Sequence, residues 1–256
     1  MPKTVFSTGD VPTATQFNAF TQEANAAITG GTVDGATVGV TNPALVGATY
    51  AIFPKTSGNG IKVDTTTPTY PWVDLTSAFH TRTTGGATPT FGSYNGTSIY
   101  AYFLSATVLQ ELFIELHIPH DYAAGTDIFV HTHWSQTTAD TGGTAGAPGN
   151  IKLYWDCLYA KGHQQQAFPA AVTTVSQVQT ASATVRQHMI AEVQLSTAGA
   201  IGGNALEVDG ILLLRCYRDP TDVADTLNQV PYMHFCDIHY QSTGIGTKAK
   251  APNFYV

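Results

Sequence analysis

Charge is what this chain has least of. Asp, Glu, Lys and Arg make up 11% of its 256 residues, against about 25% in ordinary globular proteins. Thr, Ala, Gly and Ser stand in their place. A surface so poor in Lys and Glu is weakly protected against association. Two readings follow: much of the surface is covered by partners, or the body is an uncharged extracellular β-domain. Basic residues are scarcer still, 11 Lys and Arg against 18 Asp and Glu for a net charge of −7. No basic run occurs, which argues against a nucleic-acid backbone as partner.

Other absences narrow the field further. No stretch approaches about 18 consecutive apolar residues, so no membrane span is expected. The N-terminus lacks a charged segment followed by an apolar one, so no signal peptide is expected and synthesis is placed in the cytosol. The three cysteines, Cys157, Cys216 and Cys236, show no C-x-x-C spacing. They read as buried free thiols rather than a disulfide framework or metal site. There is no G-x-S-x-G, no phosphate loop, no internal repeat and no sustained heptad.

The chain divides by pattern, with an N-terminal arm over residues 1–48 and a β-body over 49–256. Thr13 to Ile28 reads as one short amphipathic helix, opened by Pro12 and Thr13 with capping-box spacing to Gln16 and closed at Gly30-Gly31. Phe17, Phe20, Ala24, Ala27 and Ile28 share its apolar face. An isolated helix this short is marginal in water, so that face needs a surface to dock on. Either the chain's own β-body or another subunit can supply it, and the small-residue tract from Thr32 to about Ala48 gives reach to another subunit.

The tract from Pro43 to Pro71 reads as irregular, with a weak strand around Tyr50 to Phe53, and Thr81 to Tyr94 reads as a loop. Eight strands are expected after that: Ile99 to Leu104, Leu112 to Ile118, Ile128 to Trp134, Ile151 to Tyr159, Val172 to Val178, Met189 to Leu195, Ile211 to Leu214 and Tyr232 to Tyr240. The solid apolar run Ile211 to Leu214 suggests both faces covered. Glu111 and Glu115 fall on the solvent phase of their strand. About eight antiparallel strands separated by turns suit an all-β, jelly-roll sandwich.

Chemistry is sparse. His131 and His133, at i and i+2, project from one strand face and suit a metal in spacing. With Gly125 they match the first half of a cupin-like motif. The glutamate that motif needs is replaced by the run Trp134 to Thr138, and its second half is not visible. Asp237 and His239 share a face of the last strand. The four residues His131, His133, Asp237 and His239 are therefore read as a structural His/Asp network, with no catalytic residue, no metal and no cofactor. The 12 Tyr and 12 Phe suit either core packing or a sugar-binding platform, core packing being the commoner use.

A resemblance adds location. The stretch Thr32-Val33-Asp34-Gly35-Ala36-Thr37-Val38-Gly39, following a helix opened by Gly9-Asp10-Val11-Pro12-Thr13-Ala14, resembles the N-terminal regions of tailed-bacteriophage virion proteins. Tyr70-Pro71-Trp72, His117-Ile118-Pro119-His120-Asp121-Tyr122, His131-Thr132-His133-Trp134-Ser135 and Asp237-Ile238-His239-Tyr240-Gln241-Ser242-Thr243 resemble phage structural proteins. The resemblance implies a non-enzymatic virion component assembled in the host cytoplasm and docked through Phe17, Phe20, Ala24 and Ile28. One expected role is a trimeric head decoration or cement protein bridging subunits of the major capsid protein or another virion protein. The other is a short tail fibre or tail-associated protein that contacts the host surface. A cupin-like metal enzyme is the third and weakest.

Overall fold

The computed structural model describes residues 70–82, 88–136, 138–139, 147–244, 246–247 and 249–254. The arm, its docking helix and the strand expected at Tyr50 to Phe53 lie outside the described residues. Eight strands build the body: β3 (Tyr100–Phe103), β4 (Gln110–His117), β5 (Phe129–Gln136), β6 (Asn150–Ala160), β7 (Thr173–Thr180), β8 (Met189–Gln194), β11 (Ile211–Arg218) and β12 (Pro231–Gln241). Each corresponds to one of the eight expected from alternation. Among the described residues the one helical element is a 3-10 turn at Tyr94–Gly96, and no helix is long and apolar enough to cross a membrane.

The pairing order is β3-β12-β5-β8 in one sheet and β4-β11-β6-β7 in the other, antiparallel throughout. Following the chain, each step from β3 to β6 changes sheet, β6 to β7 is a hairpin, and each step from β7 through β8 and β11 to β12 changes sheet again. That order is a jelly roll, two Greek keys folded on one another. β1 (Trp72–Ser77) extends the first sheet along the later half of β12, β2 (Thr90–Ser93) adds beyond β3, and β9 (Ala200–Ile201) with β10 (Asn204–Ala205) forms a small separate hairpin.

The core lies between the sheets and follows the period of two. Ile151, Leu153, Trp155, Cys157 and Tyr159 of β6 face Val130 and Trp134 of β5 and Cys236 and Ile238 of β12, all essentially buried. The three cysteines are free and buried. Burial pushes the thiols of Cys157 and Cys216 up to about 12, and that of Cys236 well above its ordinary range. They are inert core residues.

Three details depart from the sequence reading. Thr90–Ser93 is a strand inside the expected loop; its four residues are too few to show alternation, and pairing with β3 supplies the order. Ile211–Leu214 buries one face only, with Ile211 and Leu213 half-buried. Glu111, assigned to the solvent face, is buried. Arg82 Nε and Arg215 Nε each lie 2.5 Å from its carboxylate, and this double pairing offsets the burial. Glu115 is exposed as expected.

Candidate functional site

The polar centre of the body lies on the outer face of the six-stranded sheet. Val130, Thr132 and Trp134 point inward, so strand alternation turns His131, His133 and Ser135 outward. β12 runs beside β5 with Asp237 opposite His131 and Phe235 opposite His133, while β8 puts Glu192 opposite His131 on the other side. On the far edge of β12, β1 sets Asp74 opposite His239. The four residues expected to form a network are thus brought together. Asp74, His188, Glu192 and His234 join them and were not placed in the network by the sequence. Strand alternation puts His188 in phase with Glu192; Asp74 and His234 depend on pairing and on a bulge.

This face carries an unusual burden for the outside of a sheet. His131 is 1% exposed, His133 8% and Asp237 2%. Asp237 Oδ1 lies 2.6 Å from His131 Nε2 and 3.4 Å from His133 Nε2, yet it makes no aligned hydrogen bond. His133 Nε2 and His131 Nδ1 are likewise buried without a hydrogen-bond partner. His133 Nδ1 is engaged, 2.6 Å from His188 Nε2, and its ring stacks on Phe235 at 3.9 Å. Burial lowers the His133 pKa to about 4; nearby His131 and His188 add to the effect against the opposing pull of Asp237. His133 is therefore a neutral imidazole near neutral pH. Beside it, His239 Nδ1 sits 2.6 Å from Glu192 Oε2 and its Nε2 sits 2.7 Å from Asp74 Oδ1.

A bulge in β12 between Met233 and Phe235 falls where its edge partner changes from β3 to β1. Bulges re-aim side chains, and here His234 is brought to Ser135, which also meets Tyr94 Oη at 2.9 Å. Burial, with His188 close by, lowers the His234 pKa. A groove of about 660 Å3 opens at this place, lined by Phe91, Tyr94, Tyr100, Tyr102, His188 and His234 among others. Phe91, Ile99 and Tyr100 at its rim are each more than half exposed.

Three further histidines gather at an end of the other sheet. His117 and His120 place Nε2 at 3.1 and 2.9 Å from Asp209 Oδ1, and His163 Nε2 is 2.7 Å from Asp209 Oδ2. Burial raises the Asp209 pKa, but the His163 hydrogen bond and the charges of His120 and His117 outweigh it and hold the carboxyl below its ordinary range. A carboxyl depressed in the folded state stabilises the fold above the unfolded carboxylate pKa of about 3.9 and stops doing so as pH falls through its folded value. Urea titrations at stepped pH are expected to show Asp209→Asn less stable than wild type near pH 6. The two curves should converge as pH falls through the depressed folded value of Asp209, below the unfolded value of about 3.9.

The cupin-like arrangement is not completed. The histidine pair draws its carboxylates from neighbouring strands rather than from the run after His133, and Gly125 serves a turn at φ +83° ahead of β5.

No protein-family model matches the chain, and no curated protein does. Three carbohydrate-binding modules are among the solved structures that share similarity. TmCBM61, solved with β-1,4-galactotriose, is 8% identical over 66% of this chain and 88% of its own, with a TM-score of 0.30. The CBM22-2 xylan-binding domain of Xyn10C from Paenibacillus barcinonensis is 11% identical over 66% and 91%, with a TM-score of 0.30. The family 11 module from Clostridium thermocellum, in complex with a mixed-linked tetrasaccharide, is 8% identical over 69% and 92%, with a TM-score of 0.32. With TM-scores this low, they carry no argument about what this chain binds.

Proposed function

We propose that this chain is a non-enzymatic structural protein of a tailed-bacteriophage virion, a trimeric head decoration protein whose jelly-roll body bridges capsid subunits and whose arm docks through Phe17 and Phe20. The observation that carries this reading is the apolar rim formed by Phe91, Ile99 and Tyr100. These residues are more than half exposed, and Phe91 and Tyr100 have ring centroids 5.7 Å apart. Contiguous exposed apolar groups mark association surfaces, and the surrounding chain is only 11% charged. The likeness of the N-terminal stretch to phage virion proteins supplies the partner class.

A second reading, a tail-associated receptor-binding protein, is favoured by the groove. Its aromatic walls offer faces for stacking, and Ser135, Arg186 and His234 offer polar groups beside them, the mixture that recognises a polar, apolar-faced ligand such as a saccharide.

Cryo-electron microscopy of the intact virion separates the two: density for the jelly roll on the capsid lattice supports the first reading, and density at the tail supports the second. Absence of the protein from purified particles overturns both. Deleting residues 1–29 is expected to leave a folded body that no longer attaches to particles. Phe91→Ser with Tyr100→Ser is expected to weaken capsid binding at least about tenfold, each lost aromatic contact being worth over about 1 kcal/mol if central to the interface.

A further inference from the structure

We propose that His131, His133 and Asp237 form a binding site for one first-row divalent metal ion, with zinc as the best-fitting species. Asp237 Oδ1 and His133 Nε2 face one another, buried and without hydrogen-bond partners, as is His131 Nδ1 on the far side of its ring, and such groups cost free energy unless something pairs with them. The carboxylate oxygen lies 2.6 and 3.4 Å from the two Nε2 atoms, in neither case aligned for a hydrogen bond. Donors held at about 2.1 Å from a common ion lie roughly 3.0–3.4 Å apart. The 3.4 Å separation falls in that range, and the 2.6 Å one would have to open by about 0.4 Å to admit the ion.

The tautomer of His133 sharpens the point. Its Nδ1 pairs with His188 Nε2 at 2.6 Å. When His133 is the donor in that bond, its Nε2 carries a lone pair aimed towards a carboxylate oxygen, and a cation between them removes the repulsion. A ligating histidine commonly donates its other N–H in this way, which fixes ring orientation. His188 is therefore a positioning residue for His133.

Two imidazoles and a carboxylate select zinc and its first-row neighbours over magnesium or calcium, which prefer all-oxygen sets. The cluster His131, Glu192 and His239 adjoins the site through the other nitrogen of His131, and Glu192 Oε2 approaches that Nδ1 at 3.6 Å. That distance is too long for a hydrogen bond, and Glu192 Oε2 pairs instead with His239 Nδ1 at 2.6 Å. The ion would staple β5 to β12, the two central strands of the sheet, and the inference holds whichever virion role is correct.

The test is titration of the full-length protein with zinc chloride by calorimetry, followed by anomalous diffraction at the zinc edge. One ion per chain is expected, seated among His131, His133 and Asp237. Asp237→Asn and His133→Ala are expected to lower affinity by at least about 100-fold, more than the 10–100-fold cost of losing an outer partner, which is the effect expected for His188→Ala. His163→Ala, in the separate Asp209 cluster, is expected to leave binding unchanged. Far-UV circular dichroism checks that each variant is folded, and the wild-type titration and diffraction do not depend on them. No saturable binding by wild type, or an anomalous peak only at His117, His120 and His163, overturns the proposal.

Discussion

Asp225→Ala is expected to destabilise the body by about 3–5 kcal/mol, the loss that follows when one partner of a buried ion pair is removed. Arg218 is fully buried at the end of β11. Its Nε and Nη2 donate to the two oxygens of Asp225 at 2.9 and 2.8 Å, a bidentate pairing. Nη1 donates to the carbonyls of Ser105 and Gln229, and Nη2 also donates to that of Leu227. All five guanidinium N–H groups are thus used, and the Asp225 carboxylate accepts the Lys152 backbone N–H as well. Alanine leaves the cation in place with its carbonyl partners but no counter-charge. Urea denaturation followed by tryptophan fluorescence should show the midpoint falling with little change in slope. A loss below about 1 kcal/mol would mean that water reaches Arg218 and the pair is not buried in solution. Arg218→Lys is expected to be costly too, since an ammonium cannot fill a planar five-donor site.

That arginine shows where sequence reading stops. Alternation along β11 puts Arg218 in phase with Leu212, Leu214 and Cys216, so its inward direction was legible. Its partner was not, because Asp225 lies beyond the strand in a turn whose course depends on contacts with Asn150 and Lys152. The same split runs through the molecule. The eight main strands and the inward residues of β6 were legible because a period of two persists over many residues. β1 and β2 were harder, being short segments at the flank of the sheet that owe their order to pairing with β12 and β3. At the candidate site, i and i+2 spacing placed His131 and His133 on one face, and the same rule joined Asp237 to His239. Their meeting required β5 and β12 to be neighbours in one register, which a jelly roll supplies and a local pattern does not contain. His188 lies just before β8 in phase with Glu192, so alternation set its face but not its neighbours, and His234 comes from a bulge, where no periodicity points.

Trp155→Ala is expected to cost about 3–5 kcal/mol. Trp155 is fully buried in the middle of β6, and its indole N–H donates across the inter-sheet space to Thr132 Oγ1 at 3.1 Å. The ring therefore acts as filler between the sheets and also as a polar tie to β5. Truncation opens a cavity whose walls belong to two different sheets and cannot close without moving one of them. Trp155→Phe separates the two contributions. It keeps most of the volume but leaves the buried Thr132 hydroxyl with weak sulfur contacts to Cys216, at 3.6 Å, and Cys236, so a smaller loss of about 1–2 kcal/mol is expected. Thr132 stands between His131 and His133, so this tie also sets the strand that carries them. The phenylalanine variant is therefore expected to lower zinc affinity as well as stability. Equal losses for the two variants would show that the hydrogen bond, rather than packing, holds the sheets together at this point.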